Sequence, residues 1–480
     1  MKLFIIIFVY LTTLSANDDI QTSLEFPDYA NEITHLCKNE IISFNFANTT
    51  ITSIGRDFIS SPWITCLNFT STQIHNIERG AFNKLPNLTQ LIFSDSNIDL
   101  QKLFNFGGHE NLKFLNLNDA SSRIYDSYDV YIFEEYPNLE ILSARKNDIR
   151  DLISEVNTPF PKLKILDLSS NQIQSTDFVK LLPNSLHVLD LHDNSLSSLV
   201  FDKNHVNLLA LNLDYNNLRY ITNVMTGLEN LQYLSVSGNK IDSIESNAFE
   251  DTNKLVYLNL STNKITHFHS EIFIKLQSLR LLDLNYNMLE EIPQISNETI
   301  ISTLFLNCNN IKSIISNAFV QMPKLMKLLL GGNQIIEINV KAFAHLSLLE
   351  ILDLSRNKLS FLPEGWSEFL ISLKYLNLND NQFISLESLS LTNVLPLMEL
   401  HLANISLEYL NISYFENLPQ NLIISLKEFN SANWNSARCR PTVPTVPQTD
   451  PWGTDSLGTD SLRTDSLRTD SWRRYDFNTG

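Results

Sequence analysis

Residues 163–173 read LKILDLSSNQI, and the same beat returns as LVYLNLSTNKI from Leu255 and LEILDLSRNKL from Leu349. All three follow L-x-x-L-x-L-x-x-N-x-L. Working outward, in-register units begin at Ile41, Ile64, Leu88, Leu112, Leu139, Leu163, Leu186, Leu208, Leu231, Leu255, Leu279, Ile301, Leu325, Leu349, Leu373 and Leu397. Their steps run from 22 to 27 residues and are most often 24. Within L-x-x-L-x-L the fourth and sixth positions share one face of a short strand, and the residues between them point the other way. One such coil cannot bury its own leucines. Stacked coils merge them into a continuous core and line the strands up as a parallel sheet.

The ninth position is Asn in eleven successive units: Asn147, Asn171, Asn194, Asn216, Asn239, Asn263, Asn287, Asn309, Asn333, Asn357 and Asn381. It falls where the chain turns out of the strand, and its amide can satisfy backbone groups that the turn leaves unpaired. The expectation is a buried hydrogen-bonded ladder. The second halves of several units carry Ala81-Phe82, Ala248-Phe249, Ala318-Phe319 and Ala342-Phe343, bulky rings suited to fill the side opposite the sheet.

These features resemble the leucine-rich-repeat family, in particular its extracellular class with 24-residue units. Toll-type receptor ectodomains, chaoptin-like adhesion proteins and the acid-labile subunit of the growth-factor-binding complex belong to that class. The resemblance covers about residues 41–420. It implies an α/β solenoid: a curved horseshoe with a parallel β-sheet on the concave face and short helical or irregular turns on the convex face.

The two ends read differently. Lys2, the apolar run Leu3–Leu11 and the small residues Leu14-Ser15-Ala16 form a secretory signal over residues 1–16. Nine apolar residues fall well short of the roughly 20 that cross a bilayer. Its removal would take the net charge from −18 to −19. No later stretch is apolar and long enough to span a membrane. Export gives meaning to seven N-x-Ser/Thr triplets, at Asn48, Asn68, Asn87, Asn259, Asn297, Asn404 and Asn411, as glycan acceptors. Residues 17–40 are expected to cap the first coil, with Cys37 bridged to Cys66 in an oxidising compartment, although the family's cap usually carries more cysteines. Cys308 and Cys439 lie four units apart, roughly 20 Å, so either Cys439 folds back or both stay unpaired and permit a disulfide-linked dimer. Residues 421–440 are expected to form a makeshift lid. Beyond Arg440, PTVPTVPQTDPWG leads into a TDSLR-type repeat over residues 441–480, too polar to form a core.

The fourth unit replaces its ladder Asn with Ala120 and runs on through Tyr125, Tyr128, Tyr131 and Tyr136 among acids, which reads as an irregular exposed loop, with sulfation as the sharper alternative.

The acidic balance excludes nucleic acid and anionic membrane as natural partners. No metalloprotease, hydrolase, phosphate-loop or C-x-x-C pattern occurs, so neither catalysis, nor a cofactor, nor a metal is expected. The run Thr266-His267-Phe268-His269 falls in a connecting segment, where histidines are commonly exposed. Two candidate patches sit on the outward face of the strands. Asp167, Asp190, His192 and Asp214 occupy positions five and seven of adjacent units, where they read as a solvated polar face, with a divalent cation or a basic ligand as the sharper alternatives. Tyr233, Tyr257 and Leu281, then Ile351 and Tyr375, occupy position three, with Phe305 and Leu329 at position five. Because a glycan on Asn259 would shade Tyr233 and Tyr257, the weight falls on Leu281, Phe305, Met326 and Leu329 as an exposed apolar cluster. The reading is a secreted, glycosylated binding protein for an extracellular protein or polymer. The alternative is the ectodomain of a receptor or adhesion protein.

Overall fold

The chain divides into two units between Arg440 and Pro441. The computed structural model describes residues 42–427 of the first, apart from 108, 123–127, 202–206, 223–224, 393–394, 409–410, 412, 415–417 and 420–421. The expected signal segment, Cys37, Tyr125, Cys439 and the low-complexity tail lie outside the described residues.

Every unit contributes one three-residue strand, and all pair parallel with the next unit's strand. The result is a single seventeen-stranded sheet in chain order. Register is invariant: Ile165 opposes Val188, Leu166 opposes Leu189, and Asp167 opposes Asp190. Equivalent positions therefore stack into rows running the length of the solenoid. Among the described residues the connecting halves contain short 3-10 turns, such as Asp177–Leu181 and Ser270–Ile274, and no α-helix. No described helix is long and apolar enough to cross a membrane.

The inward rows form one continuous apolar core, with Leu163, Leu166, Leu168 and Ile173 fully buried and repeated from coil to coil. In the first three units Phe replaces the sixth-position Leu. Phe46, Phe69 and Phe93 stack at 5.0 and 5.2 Å between ring centroids. On the opposite side Phe319 stacks on Phe343 and Trp366 meets Phe343 edge-on. Trp366 takes the slot that Phe fills elsewhere, and its indole N–H donates to the carbonyl of Leu389 at 3.0 Å.

The asparagine row joins the coils. Nδ2 of Asn263 donates to the carbonyl of Leu260 in its own unit and to that of Val236 in the preceding one, while Oδ1 accepts the N–H of Ile241. Asn171, Asn194, Asn216 and Asn357 repeat the pattern. The residue just before the ladder Asn sits in the left-handed region, at φ 54° for Ser170, 53° for Tyr215 and 58° for Cys308. Gly238 holds that position at φ 68°, and a Cβ there would lie 2.5 Å from the Tyr215 ring.

One expectation needs correcting. The described part of the fourth unit's extension is not an exposed loop. Asp129–Ile132 pairs in parallel with Asp151–Ser154, and Tyr136 is fully buried, donating its hydroxyl to the carbonyl of Phe104. Where Ala120 interrupts the asparagine row, Asn147 reaches across to accept the N–H groups of Ala120 and Ser121. Of residues 421–440, expected to form a lid, the described part holds a seventeenth strand, Ile423–Ser425, paired with Glu399–His401. Of the two alternatives left open for Cys308, the unpaired one falls away: both it and Cys66 are disulfide-bonded. Ten strand spacings, roughly 48 Å, separate these two, far beyond the roughly 7 Å a bridge allows, so they are not each other's partners.

Removing the Asn263 amide would strand buried carbonyls of two coils and one amide N–H. Asn263→Ala is expected to cost roughly 2–4 kcal/mol, read as a lower midpoint in chemical denaturation, whereas the exposed exchange Lys264→Ala in the same turn changes little.

The candidate recognition face

Outward positions three and five of each strand, with position seven just beyond, line the floor of the concave side. Position five proves to be a second structural row. In Asn68, Asn116, Asp167, Asp190, Asn212, Asn259, Asp283, Asp353 and Asn377 the Oδ1 atom accepts the backbone N–H two residues on, at 2.8 to 3.1 Å. This is an Asx turn that bends the chain out of each strand. Asp and Asn at position five thus have a local job that the repeat signature does not spell out. The available signal was the recurrence of Asx at that position.

The acidic candidates come together as expected from the register, but not as a solvated surface. Asp167 and Asp190 oppose one another on adjacent strands and are 5% and 6% exposed. The His192 ring lies 2.9 Å from Asp190. Asp214 accepts the Ser235 hydroxyl and the N–H of Ser237, both at 2.6 Å. Burial pushes Asp167 and Asp214 up to about 6; the neighbouring Asp190 adds to both. Burial likewise lifts Asp283 to about 7. For His192 burial works downward, but the hydrogen bond and charge of Asp190 outweigh it and raise its affinity for a proton. Among the described residues no group of three or more His, Cys, Asp or Glu side chains is arranged to hold a metal ion. His267 and His269 are exposed in their connecting turn.

The apolar candidates are also more tightly packed than expected. Tyr233 and Tyr257 stack face to face at 4.3 Å, yet they are 6% and 5% exposed, and Leu281 and Leu329 are each 3% exposed. A shared register presses each position-three side chain against the next coil's equivalent. From Cys66 through Val188 to Leu281 these outward residues form a second apolar cluster on the sheet. Met326 lies at position two and Leu281 at position three, so neither shares the row of Phe305 and Leu329. A run of position five across three consecutive strands, Asn259, Asp283 and Phe305, stays partly open with Asn285 beside it, as do Ile351, Tyr375 and Glu399 at position three of later strands. The Lys327 ammonium lies 5.7 Å from the centre of the Phe305 ring. Burial lowers its pKa, against the pull of Asp353.

Five of the seven glycan acceptors, Asn48, Asn87, Asn297, Asn404 and Asn411, are exposed on turns; Asn68 and Asn259 sit half-buried on the strands themselves.

Two family models match the chain. The leucine rich repeat model covers residues 229–289 and 323–383, and the BspA type leucine rich repeat region covers residues 17–143. Toll-like receptor 3 of Homo sapiens is 28% identical over 234 residues, 45% of this chain and 26% of the receptor. Podocan of Mus musculus is 28% identical over 339 residues, 67% of this chain and 48% of podocan. The chain spans about a fifth to a half of the length of the curated relatives it matches. Among solved structures, a chain of the Drosophila Toll–Spatzle complex superposes with a TM-score of 0.61 at 18% identity, covering 80% of this chain and 54% of that one. Identity that low speaks for the fold alone, and the fold agrees with the repeat models. The chain is a leucine-rich-repeat protein resembling Toll-type ectodomains.

Proposed function

We propose that this protein is a secreted, glycosylated, non-enzymatic recognition module that takes a protein ligand on its concave face. The observation that carries the reading is the partly open run Asn259–Asp283–Phe305 at position five of three consecutive strands. It combines an amide, a carboxylate and an aromatic ring held by a rigid frame, so little ordering entropy is lost on binding. The seventeen strands span roughly 75 Å at about 4.8 Å each, enough for a protein interface of ordinary size. Relatives with receptor names, among them Toll-like receptor 3 and a leucine-rich repeat-containing G-protein coupled receptor, support a second reading as the ectodomain of a receptor. Transcript sequencing past codon 480 separates the two.

Secretion from insect or mammalian cells should yield a glycoprotein whose mass falls on enzymatic removal of N-glycans. Non-reducing peptide maps should join Cys37 to Cys66. A product without glycans and retained in the cytosol would end the secretion reading.

Captured extracellular ligand should bind Phe305→Asp at least about tenfold more weakly, a loss of about 1.4 kcal/mol. The flank exchange Ile384→Asp should leave binding unchanged. Ser261→Ala, which removes the glycan-acceptor triplet at Asn259 while keeping its amide, should bind at least as well as the parent. Retained affinity in Phe305→Asp would place the ligand elsewhere.

A further inference from the structure

We propose that the carboxylates set into the concave floor form an acid-strengthened device: on passing from neutral pH to about 5.5 the floor takes up protons, and the units from Arg145 to Tyr286 become harder to unfold. Asn68, Asn116, Asn212, Asn259 and Asn377 make the same hydrogen bond, at the same distances, as Asp167, Asp190, Asp283 and Asp353. The turn therefore needs the oxygen and not the charge. Ionised carboxylates in this row add a desolvation cost that the neutral amide avoids.

Geometry concentrates that cost. Asp167 opposes Asp190 across one strand spacing, with Arg145 on the other side 3.8 Å away and the hydroxyls of Ser143 and Ser169 at 3.3 and 2.7 Å. Asp190 faces Asp167, the His192 ring and Asp214. Asp214 faces Asp190, His192, Ser235 and the stacked Tyr233 and Tyr257. Asp283 feels Asp214 and lies beside Tyr257 and Tyr286. Arg145 is the one fixed cation acting on these carboxylates among the described residues.

The sign is uniform. Asp167, Asp214 and Asp283 hold their protons more tightly in the fold than the free side chain does. Their favourable contribution is therefore complete at low pH and is lost as the pH rises through about 6 to 7. His192, also raised, acts in the same direction. The device shares Asp283 with the stretch assigned to the ligand, so its test is made on the chain without ligand.

The test is thermal unfolding of the full secreted chain between pH 7.5 and 5.5. The parent should melt higher at pH 5.5 by about 3–5 °C. The double exchange Asp214→Asn with Asp283→Asn should raise Tm at pH 7.5 and flatten most of that pH dependence. Asp242→Asn, an exposed turn residue, should leave the dependence intact and so subtracts the general effect of a less negative chain. Hydrogen exchange, corrected for the intrinsic pH effect, should slow on acidification in peptides from residues 145–286 more than in peptides from residues 325–403. An unchanged pH dependence in the double variant, equal flattening by Asp242→Asn, or uniform exchange slowing along the solenoid would each overturn the proposal.

Discussion

One buried amide in each of eleven successive coils holds this structure in register. The ladder asparagine touches two coils at once, donating to a carbonyl of each and accepting an N–H from the earlier one. A three-residue strand is too short to fix its own alignment, and a one-residue slip would turn its leucines outward. The asparagine removes that freedom, because its three partners are satisfied together only when the coils superpose. Its burial makes the requirement strict, since an unmatched polar group inside costs more than a matched one gains. The invariant pairing of Leu166 with Leu189 and of Leu258 with Leu282 follows from this constraint.

Superposition has a consequence for the outer face. Whatever residue a unit places at an outward position stands directly beside its counterpart in the next. Aromatic neighbours become a stack, as Tyr233 and Tyr257 do. Carboxylate neighbours become a confrontation, as Asp167 and Asp190 do. A solenoid has no means of separating such pairs by folding them apart, because each unit meets only the units beside it. The chain moderates the confrontation by alternating chemistry along the row, with Asn212, Ser235 and Asn259 standing between Asp190 and Asp283.

The same one-dimensionality lets irregular units be absorbed locally. The extended fourth unit adds a private two-stranded ladder and buries Tyr136, while the sheet passes through without interruption. Trp366 shows the same tolerance on the other side. A larger ring enters the phenylalanine slot and gains a hydrogen bond to the next coil.

The amino-acid sequence alone determined the coil period, the leucine rows, the asparagine row and the phenylalanines behind them, because each is a local spacing rule read within a single unit. Residues such as Asn263, Leu258 and Phe343 declare their roles by position. Tertiary structure alone decided how open the outward face is. Leu281, Leu329 and Tyr233 look exposed in any one strand and are closed only by the bulk of the neighbouring coil. It also decided that Ile423–Ser425 extends the sheet and that Cys308 is bonded. Those facts rest on contacts between units, and a spacing rule carries the alternation of faces but not the size or reach of what stands alongside.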